Sequence, residues 1–190
     1  MHGRLILVVG PSGSGKSALL AHLHEVHPEI IFPVSCTTRK PRPGEVEGDK
    51  YYFVTKEDFE EREKREEFLE WASYGGHYYG TLRSQVLQPL EEGKTIVREV
   101  EVQGARQLLS HLPAEAVRII FIDAGSWDEL ERRILARAPM SDVELLARRK
   151  RYEDELTFKT SASIVVANPN GGLEQAKRDF VSAVEELSAR

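Results

Sequence analysis

The octapeptide Gly10-Pro11-Ser12-Gly13-Ser14-Gly15-Lys16-Ser17 fills every fixed position of the pattern G-x-x-x-x-G-K-[ST], which is typical of a phosphate-binding loop. The glycines let the backbone curl so that successive N–H groups point inward, where they can bind phosphate oxygens. Lys16 can reach the β- and γ-phosphates of a nucleotide, and Ser17 can ligate Mg²⁺. The octapeptide therefore predicts the place where a nucleotide's phosphates bind.

The residues around this loop match the strand and the helix that the motif requires. Leu5 to Val9 is an uninterrupted apolar run before the loop, and Ser17 to Leu23 favours a helix after it. Further apolar runs alternate with helical patterns along the chain, at 30–34, 95–102, 117–122 and 164–166. This alternation predicts an α/β domain with a mostly parallel sheet flanked by helices.

Composition restricts the class of protein. The chain has 190 residues, a net charge of −5 and one cysteine, Cys36, so no intrachain disulfide can form. Such cysteine usage is typical of a reducing cytosol. The acidic balance argues against a nonspecific nucleic-acid coat, and no stretch approaches a membrane span. We therefore expect a cytoplasmic protein without nucleic-acid or membrane partners.

Residues 36 to 82 form a long excursion between two predicted core strands, rich in aromatic and turn residues. Because a structureless loop of that length is improbable, we predict an inserted small α+β subdomain. Within it, Tyr51 to Val54 is a predicted strand, and Thr55 is the predicted cap of a charged helix that runs to Glu67.

Two arginines near the start of this excursion suggest a phosphate clamp. Arg39 and Arg42 lie three residues apart in an extended segment stiffened by prolines. Planar guanidiniums suit bidentate binding of one phosphate, and Tyr51 and Tyr79 can add phenolic donors. From the arginines alone, a basic surface turn explains the segment equally well.

Together, four separated blocks resemble the guanylate kinase family over nearly the full length. The blocks are Gly10 to Ser17, Ser35 to Glu45 with Gly48 and Tyr51 to Val54, Phe68 to Ala72 with Tyr78 to Thr81, and Glu99 to Ala105. The resemblance implies transfer of the ATP γ-phosphate to GMP, and to dGMP as well, with Mg²⁺ as the cofactor. It also implies a P-loop core (1–35, 83–137 and 160–190), a GMP-binding subdomain (36–82) and a helical lid (138–159).

The resemblance carries specific roles over to this chain. It implies that residues 10–17 and Asn168 bind ATP, with Ser17 on the metal. The implied GMP-binding residues are Ser35, Arg39, Arg42, Tyr51, Glu70, Tyr79, Thr81 and Glu101, and the implied catalytic residues are Lys16, Glu99, Arg137 and Arg148. The guanine assignment agrees with chemistry, since carboxylates accept from N1–H and N2–H while hydroxyls donate to O6. Adenine would leave buried carboxylates unpaired.

The sequence also departs from the family's usual pattern. Glu99-Val100-Glu101 stands where Asp-x-Asp is usual, which moves each carboxylate by about one bond length, ~1.5 Å. Arg137-Ala138-Pro139 stands where Arg-Gly-Thr is expected, so the lid segment is stiffer. Asn170 competes with Asn168 for the place beside adenine. The longer carboxylates could weaken GMP binding or could suit a related base, and the stiffer segment bears on the rate of lid closure.

Two alternatives keep the fold and change the function. Guanylate-kinase-like modules of scaffolding proteins bind peptides through the same cleft, but they typically have broken phosphate loops, whereas Lys16 and Ser17 are present here. A related kinase phosphorylates ribose 1,5-bisphosphate, whose lack of a base makes the pocket of Glu70, Ser35 and Thr81 unnecessary. The oligomeric state stays open.

Overall fold

A computed structural model describes residues 2–137 and 140–189, apart from the side chains of Tyr74 and Arg137. The strands are β1 (Arg4–Val9), β2 (Ser35–Thr37), β3 (Tyr51–Phe53), β4 (Phe68–Tyr74), β5 (His77–Leu82), β6 (Thr95–Glu99), β7 (Val117–Asp123) and β8 (Ile164–Ala167). The α-helices are α1 (Lys16–Val26), α2 (Lys56–Lys64), α3 (Leu87–Glu91), α4 (Val102–His111), α5 (Trp127–Arg137), α6 (Asp142–Thr157) and α7 (Leu173–Ala189). Among the described residues, none of these helices is long and apolar enough to cross a membrane.

The first sheet has the strand order β6-β1-β7-β8, and helices flank it. β6 and β7 follow each other in the chain but are separated by β1 in this order, and helices form the crossovers between such parallel strands. β7 and β8 pair in parallel, with Ile120 opposite Ile164. Leu5 to Val9 of β1 are buried on both faces, which explains its uninterrupted apolar run. The predicted α/β class with a parallel sheet is confirmed.

The second sheet has the order β3-β2-β5-β4 and is mixed. β2 is parallel to β3 and antiparallel to β5, while β4 and β5 form an antiparallel pair. The register places Thr81 of β5 opposite both Ser35 of β2 and Glu70 of β4. Directly opposed residues project from the same face of a sheet. Three polar side chains that are far apart in sequence thus form one row.

An aromatic cluster holds α2 against this second sheet. Phe59 of α2 is 1% exposed and stacks on Phe68 with ring centroids 4.4 Å apart. Thr55 caps the helix by accepting from the Asp58 N–H at 3.0 Å, as predicted. Phe59 is the buried residue of an otherwise charged helix, so a single aromatic side chain anchors it.

The chain divides into two compact units. The first unit comprises Met1–Leu5, Ile31–Arg98 and Gln103–Val117, and the second comprises Ile6–Ile30, Glu99–Val102 and Arg118–Arg190. The predicted subdomain boundaries at 36, 82, 138 and 159 stay a prediction.

Two predicted strands differ from the structure. At 30–34 there is no strand, only an isolated parallel bridge between Ile31 and Ile96. Pro33 lacks an N–H group and cannot continue a ladder. The run predicted at 95–102 is strand only to Glu99, because α4 begins at Val102.

Candidate active site

The phosphate-binding loop lies between β1 and α1 in the second unit, and close packing requires its glycines. Gly15 has φ 94°, and a Cβ there would collide with the amide nitrogen of Asn168. A Cβ on Gly10 would lie 2.6 Å from the carbonyl oxygen of Ile122. Both positions accept only a residue without a side chain. The loop is therefore fixed in shape by its surroundings.

Lys16 is folded back onto this loop. Its side chain is only 8% exposed, and its ammonium donates to the carbonyl oxygens of Gly10 and, at 3.2 Å, of Pro11. Glu99 Oε1 lies 3.6 Å from the same nitrogen. A bound phosphate oxygen can take the place of these carbonyls, since an ammonium has three donors that rotate freely about one bond.

Asn168 supports the loop from the side. The residue is 4% exposed, and its Nδ2 donates to the carbonyl oxygen of Ser14 at 2.7 Å. The backbone carbonyl of Asn168 accepts from Arg133 Nη2 at 2.9 Å. Asn170 is exposed, and its backbone N–H donates to Glu129. The contact of the Asn168 side chain is thus with the loop, and its predicted role beside adenine stays a prediction.

The helix α6 brings an arginine to the loop. Arg148 Nη1 donates to Ser12 Oγ at 2.8 Å. A capping box formed by Ser141 and Glu144 fixes the start of α6. Tyr152 packs against the cluster that contains Leu130 and so attaches the helix to α5. The guanidinium of Arg148 therefore reaches the loop from a helix that is fixed at its start by the capping box and further along by the packing of Tyr152.

The other predicted arginine of this region cannot be placed. Arg137 is the last residue of α5, and its side chain lies outside the described part of the structure, as do Ala138 and Pro139. The predictions about this arginine and about the stiffened lid segment therefore stay predictions.

Sequence reasoning missed a buried carboxyl near Lys16. Glu155 of α6 is 7% exposed, and burial raises its pKa to about 7. The negative charge of Glu101 raises this pKa further, while the positive charge of Lys16 lowers it. The available signal was spacing, because Glu155 follows Arg148 by seven residues, or two helical turns, and so shares its face.

In the first unit, the predicted phosphate clamp is held by an internal carboxylate. Arg39 donates from both terminal nitrogens to Glu45, at 2.8 and 2.9 Å, and its guanidinium lies 5.4 Å from the ring centroid of Tyr51. The backbone N–H of Arg42 donates to Glu45 at 2.7 Å. The hydrogen bonds from Arg39 first, and from the Arg42 backbone next, lower the pKa of Glu45 to about 2. Tyr51 and Tyr79 meet edge to face, with ring centroids 6.0 Å apart. The carboxylate thus occupies the fork that a phosphate would use.

Three of the predicted guanine ligands meet in the row across the second sheet, where a further arginine joins them. Glu70 is 5% exposed, and its Oε1 accepts from the Thr81 hydroxyl and, at 2.9 Å, from Arg98 Nη2. Arg98 Nη1 also donates to Ser35 Oγ at 2.6 Å. The side chain of Arg98 is 10% exposed. Sequence reasoning missed this arginine, because a single charged residue in the strand β6 carries no motif.

Comparison with known proteins decides the family. A family model described as guanylate kinase matches residues 2–187. The chain belongs to the guanylate kinase family. A curated guanylate kinase from Synechococcus sp. (strain JA-3-3Ab) is 45% identical over 178 residues, which cover 94% of this chain and 80% of that protein. One from Streptomyces kasugaensis is 40% identical over 179 residues, which cover 94% of this chain and 85% of that protein. The crystal structure of guanylate kinase from Anaplasma phagocytophilum superimposes with a TM-score of 0.75 at 26% identity, covering 99% of this chain and 87% of that one.

The guanylate kinase resemblance inferred from the sequence is thereby confirmed, while the individual residue roles stay predictions. In this chain, the first unit contains Ser35, Glu70 and Thr81 in one hydrogen-bonded network with Arg98, and Arg39 with Tyr51 in another set of contacts. The second unit contains the loop with Lys16, together with Glu99, Glu101 and Arg148. The residues that sequence reasoning missed are Arg98, Glu45 and Glu155.

Proposed function

We propose that this chain transfers the γ-phosphate of ATP to GMP, giving ADP and GDP, and that it accepts dGMP as well. The observation that carries the proposal is the buried carboxylate of Glu70 in one row with the hydroxyls of Ser35 and Thr81. A buried carboxylate is costly unless it is paired and hydrogen-bonded, and only Oε1 of Glu70 has hydrogen bonds among the described residues, so Oε2 is left to accept from a ligand. The N1–H and N2–H donors of guanine match it, whereas adenine offers an acceptor at N1.

The loop residues bind the donor nucleotide. Their inward N–H groups hold the phosphates, and Lys16 exchanges its carbonyl partners for phosphate oxygens. Arg148, which already contacts Ser12 at 2.8 Å, adds positive charge where the transferring phosphoryl group develops negative charge. Positioning and charge neutralisation account for most catalysis in this reaction class.

The clamp residues bind the acceptor phosphate. Arg39 holds Glu45 with two parallel hydrogen bonds, the same geometry that it would give two phosphate oxygens. Tyr51 and Tyr79, which contact each other edge to face, supply phenolic donors beside it. GMP binding then replaces one anion, the Glu45 carboxylate, by another, so the arginine is already oriented.

The oxygen groups near Lys16 suit Mg²⁺. Ser17 and Glu99 would hold the ion, which prefers hydroxyl, carboxylate and water oxygens and is held largely by substrate phosphates. In keeping with this, the described residues contain no group of three or more His, Cys, Asp or Glu side chains that could hold a metal alone. When bound, Mg²⁺ neutralises charge on the β- and γ-phosphates.

An acceptor panel tests the proposal. ADP release from ATP is measured with GMP, dGMP, AMP, UMP and ribose 1,5-bisphosphate, for the parent chain and for Lys16→Ala. We expect turnover with GMP and dGMP, and loss of that turnover in Lys16→Ala while circular dichroism shows a folded chain. Turnover with ribose 1,5-bisphosphate instead of GMP would overturn the assignment of the acceptor. The absence of turnover with every acceptor, together with binding of a peptide, would favour a binding module.

A further inference from the structure

Arg98 contacts the base pocket, which we define as the row of Ser35, Glu70 and Thr81, but the proposed mechanism gives this arginine no role. It lies on β6 in the first unit and is 10% exposed, with one terminal nitrogen on Ser35 Oγ at 2.6 Å and the other on Glu70 Oε1 at 2.9 Å. A guanidinium that touches Ser35 and Glu70, two of the predicted guanine ligands, affects which hydrogen bonds those ligands can make.

The contact with Ser35 fixes the direction of a hydrogen bond. Arginine carries only donors, so the Ser35 oxygen must accept from it. The hydroxyl hydrogen of Ser35 is then turned away from Arg98 and is available to another acceptor. Without the arginine, this hydroxyl could either donate or accept. Arg98 thereby occupies one of the two lone pairs of Ser35 Oγ and favours donation by its hydroxyl.

The contact with Glu70 determines which carboxylate oxygen can accept a hydrogen bond from a ligand. Its Oε1 receives both Arg98 and Thr81, so Oε2 is the oxygen without a hydrogen bond among the described residues. Gly104 leaves space at that oxygen, since a Cβ there would lie 2.8 Å from Oε2. The neighbouring positive charge offsets the cost of burying the carboxylate. Oε2 is therefore a committed acceptor.

We propose that Arg98 is a positioning residue that sets the donor and acceptor pattern of the base pocket, with Ser35 donating and Glu70 Oε2 accepting. This inference rests on the proposed function. The pattern matches the O6 acceptor and the N1–H and N2–H donors of guanine. It opposes adenine, which presents an amino donor at position 6 and an acceptor at N1. Arg98 thus excludes AMP without touching the base itself.

The discriminating experiment measures kcat and KM for GMP and for AMP in Arg98→Met, which keeps an unbranched apolar stem and removes the charge and the donors. We expect the ratio of kcat/KM for GMP over AMP to fall at least tenfold, mainly through the KM for GMP, while the KM for ATP stays within twofold. A merely structural role would lower both acceptors together. Arg83→Met is the matched control, because Arg83 lies in the same unit and its side chain donates to the Glu66 carbonyl, at 2.9 Å, rather than to a predicted base ligand.

Two further variants keep the test decisive. In the background of Ser35→Ala, Arg98→Met should change the ratio by a smaller factor than in the parent, because the part of its effect that acts through Ser35 is already lost while the part that acts through Glu70 remains. Arg98→Lys, which keeps the charge but can make only one of the two contacts well, should give an intermediate ratio and decides the matter if Arg98→Met does not fold. An unchanged ratio in a folded Arg98→Met or Arg98→Lys overturns the role of Arg98 while GMP kinase activity stands. A parent chain without GMP turnover overturns the proposed function instead.

Discussion

The phosphate-binding loop and the base pocket bind polar ligands with different kinds of chemical group. The loop presents main-chain N–H groups, and its shape depends on glycines that other atoms approach closely, such as Gly10 beside the carbonyl of Ile122 at 2.6 Å. The pocket presents side chains whose charges balance one another, with Glu70 bonded to Arg98 at 2.9 Å. The first depends on backbone geometry, and the second depends on individual side-chain atoms.

This difference has consequences for substitution. Apart from Lys16 and Ser17, whose side chains have roles of their own, a loop built from main-chain groups tolerates changes of its side chains wherever no Cβ is excluded. A buried charge network does not, because removing one partner leaves the other charge uncompensated. Variants matched between the two regions therefore test whether the contrast is real.

Among these variants, Arg148→Ala should produce the largest loss of activity, because it removes a positive charge beside the transferring phosphoryl group. We expect kcat to fall roughly 10³-fold, as for arginines that stabilise phosphoryl transfer. The unfolding temperature should hardly change, since the contact of Arg148 with Ser12, at 2.8 Å, is exposed. Steady-state kinetics and thermal unfolding measure the two effects. Arg149→Ala, the exposed neighbour, is the control, and an equal loss in that variant would remove Arg148 from the mechanism.

Glu70→Gln tests the opposite region. The amide keeps the size of the side chain but loses the charge, so kcat/KM for GMP should fall about 10²-fold. The unfolding free energy should also drop by about 3 kcal/mol, because Arg98 is left without its counter-ion. Ser12→Ala in the loop should change the KM for ATP less than fivefold and leave stability unchanged. If both variants behaved alike, the distinction between a main-chain site and a side-chain site would be wrong.

Glu155→Gln tests the same contrast through the pH dependence of stability, because Glu155 is a buried titratable group close to Lys16 of the phosphate-binding loop. Its pKa is raised to about 7 by burial first and by Glu101 next, so the folded state binds this proton more tightly than the unfolded state. Stability of the parent should therefore fall as pH rises from about 5 to about 7. Glutamine removes this dependence, so the variant should gain about 2 kcal/mol relative to the parent at pH 8 and little at pH 5.

Urea unfolding at several pH values between 5 and 8 measures this difference for Glu155→Gln. Glu153→Gln, an exposed position on the same helix, should leave the pH dependence as it is in the parent. Curves of the parent and Glu155→Gln that run parallel across this range would show that the raised pKa of Glu155 does not affect stability.

The same contrast explains what the sequence could predict. The loop, the strand β1 and the helix α1 are local, so one octapeptide and its flanks suffice to predict them. Thr55 as a helix cap is local as well and is confirmed at 3.0 Å. Glu70 and Thr81 were named from the family pattern, and the register of β4 and β5 then brings them together.

The residues that were missed depend on contacts between distant parts of the chain. Arg98 meets Glu70 across 28 residues, and neither one points to the other without the strand register. Glu45 reaches back to Arg39 through a proline-containing turn, whose path no periodicity reveals. At 30–34, hydrophobicity predicted a strand that Pro33 does not allow, because the missing N–H outweighs the apolar pattern.

Arg39→Lys should have the smallest effect of these variants. It tests the phosphate clamp, in which the guanidinium of Arg39 binds an anion as main-chain amides do in the loop. Lysine keeps the charge but cannot make two parallel hydrogen bonds, so the KM for GMP should rise about tenfold with kcat little changed. The pKa of Glu45 is lowered to about 2, chiefly by Arg39, so its carboxylate is ionised throughout the range from pH 6 to pH 9, and the increase in KM should not vary there. Initial rates at several GMP concentrations across this pH range provide the measurement, with Lys40→Met as the exposed control. An unchanged KM would mean that charge alone binds the acceptor phosphate, and the clamp would then resemble the loop lysine more than the base pocket.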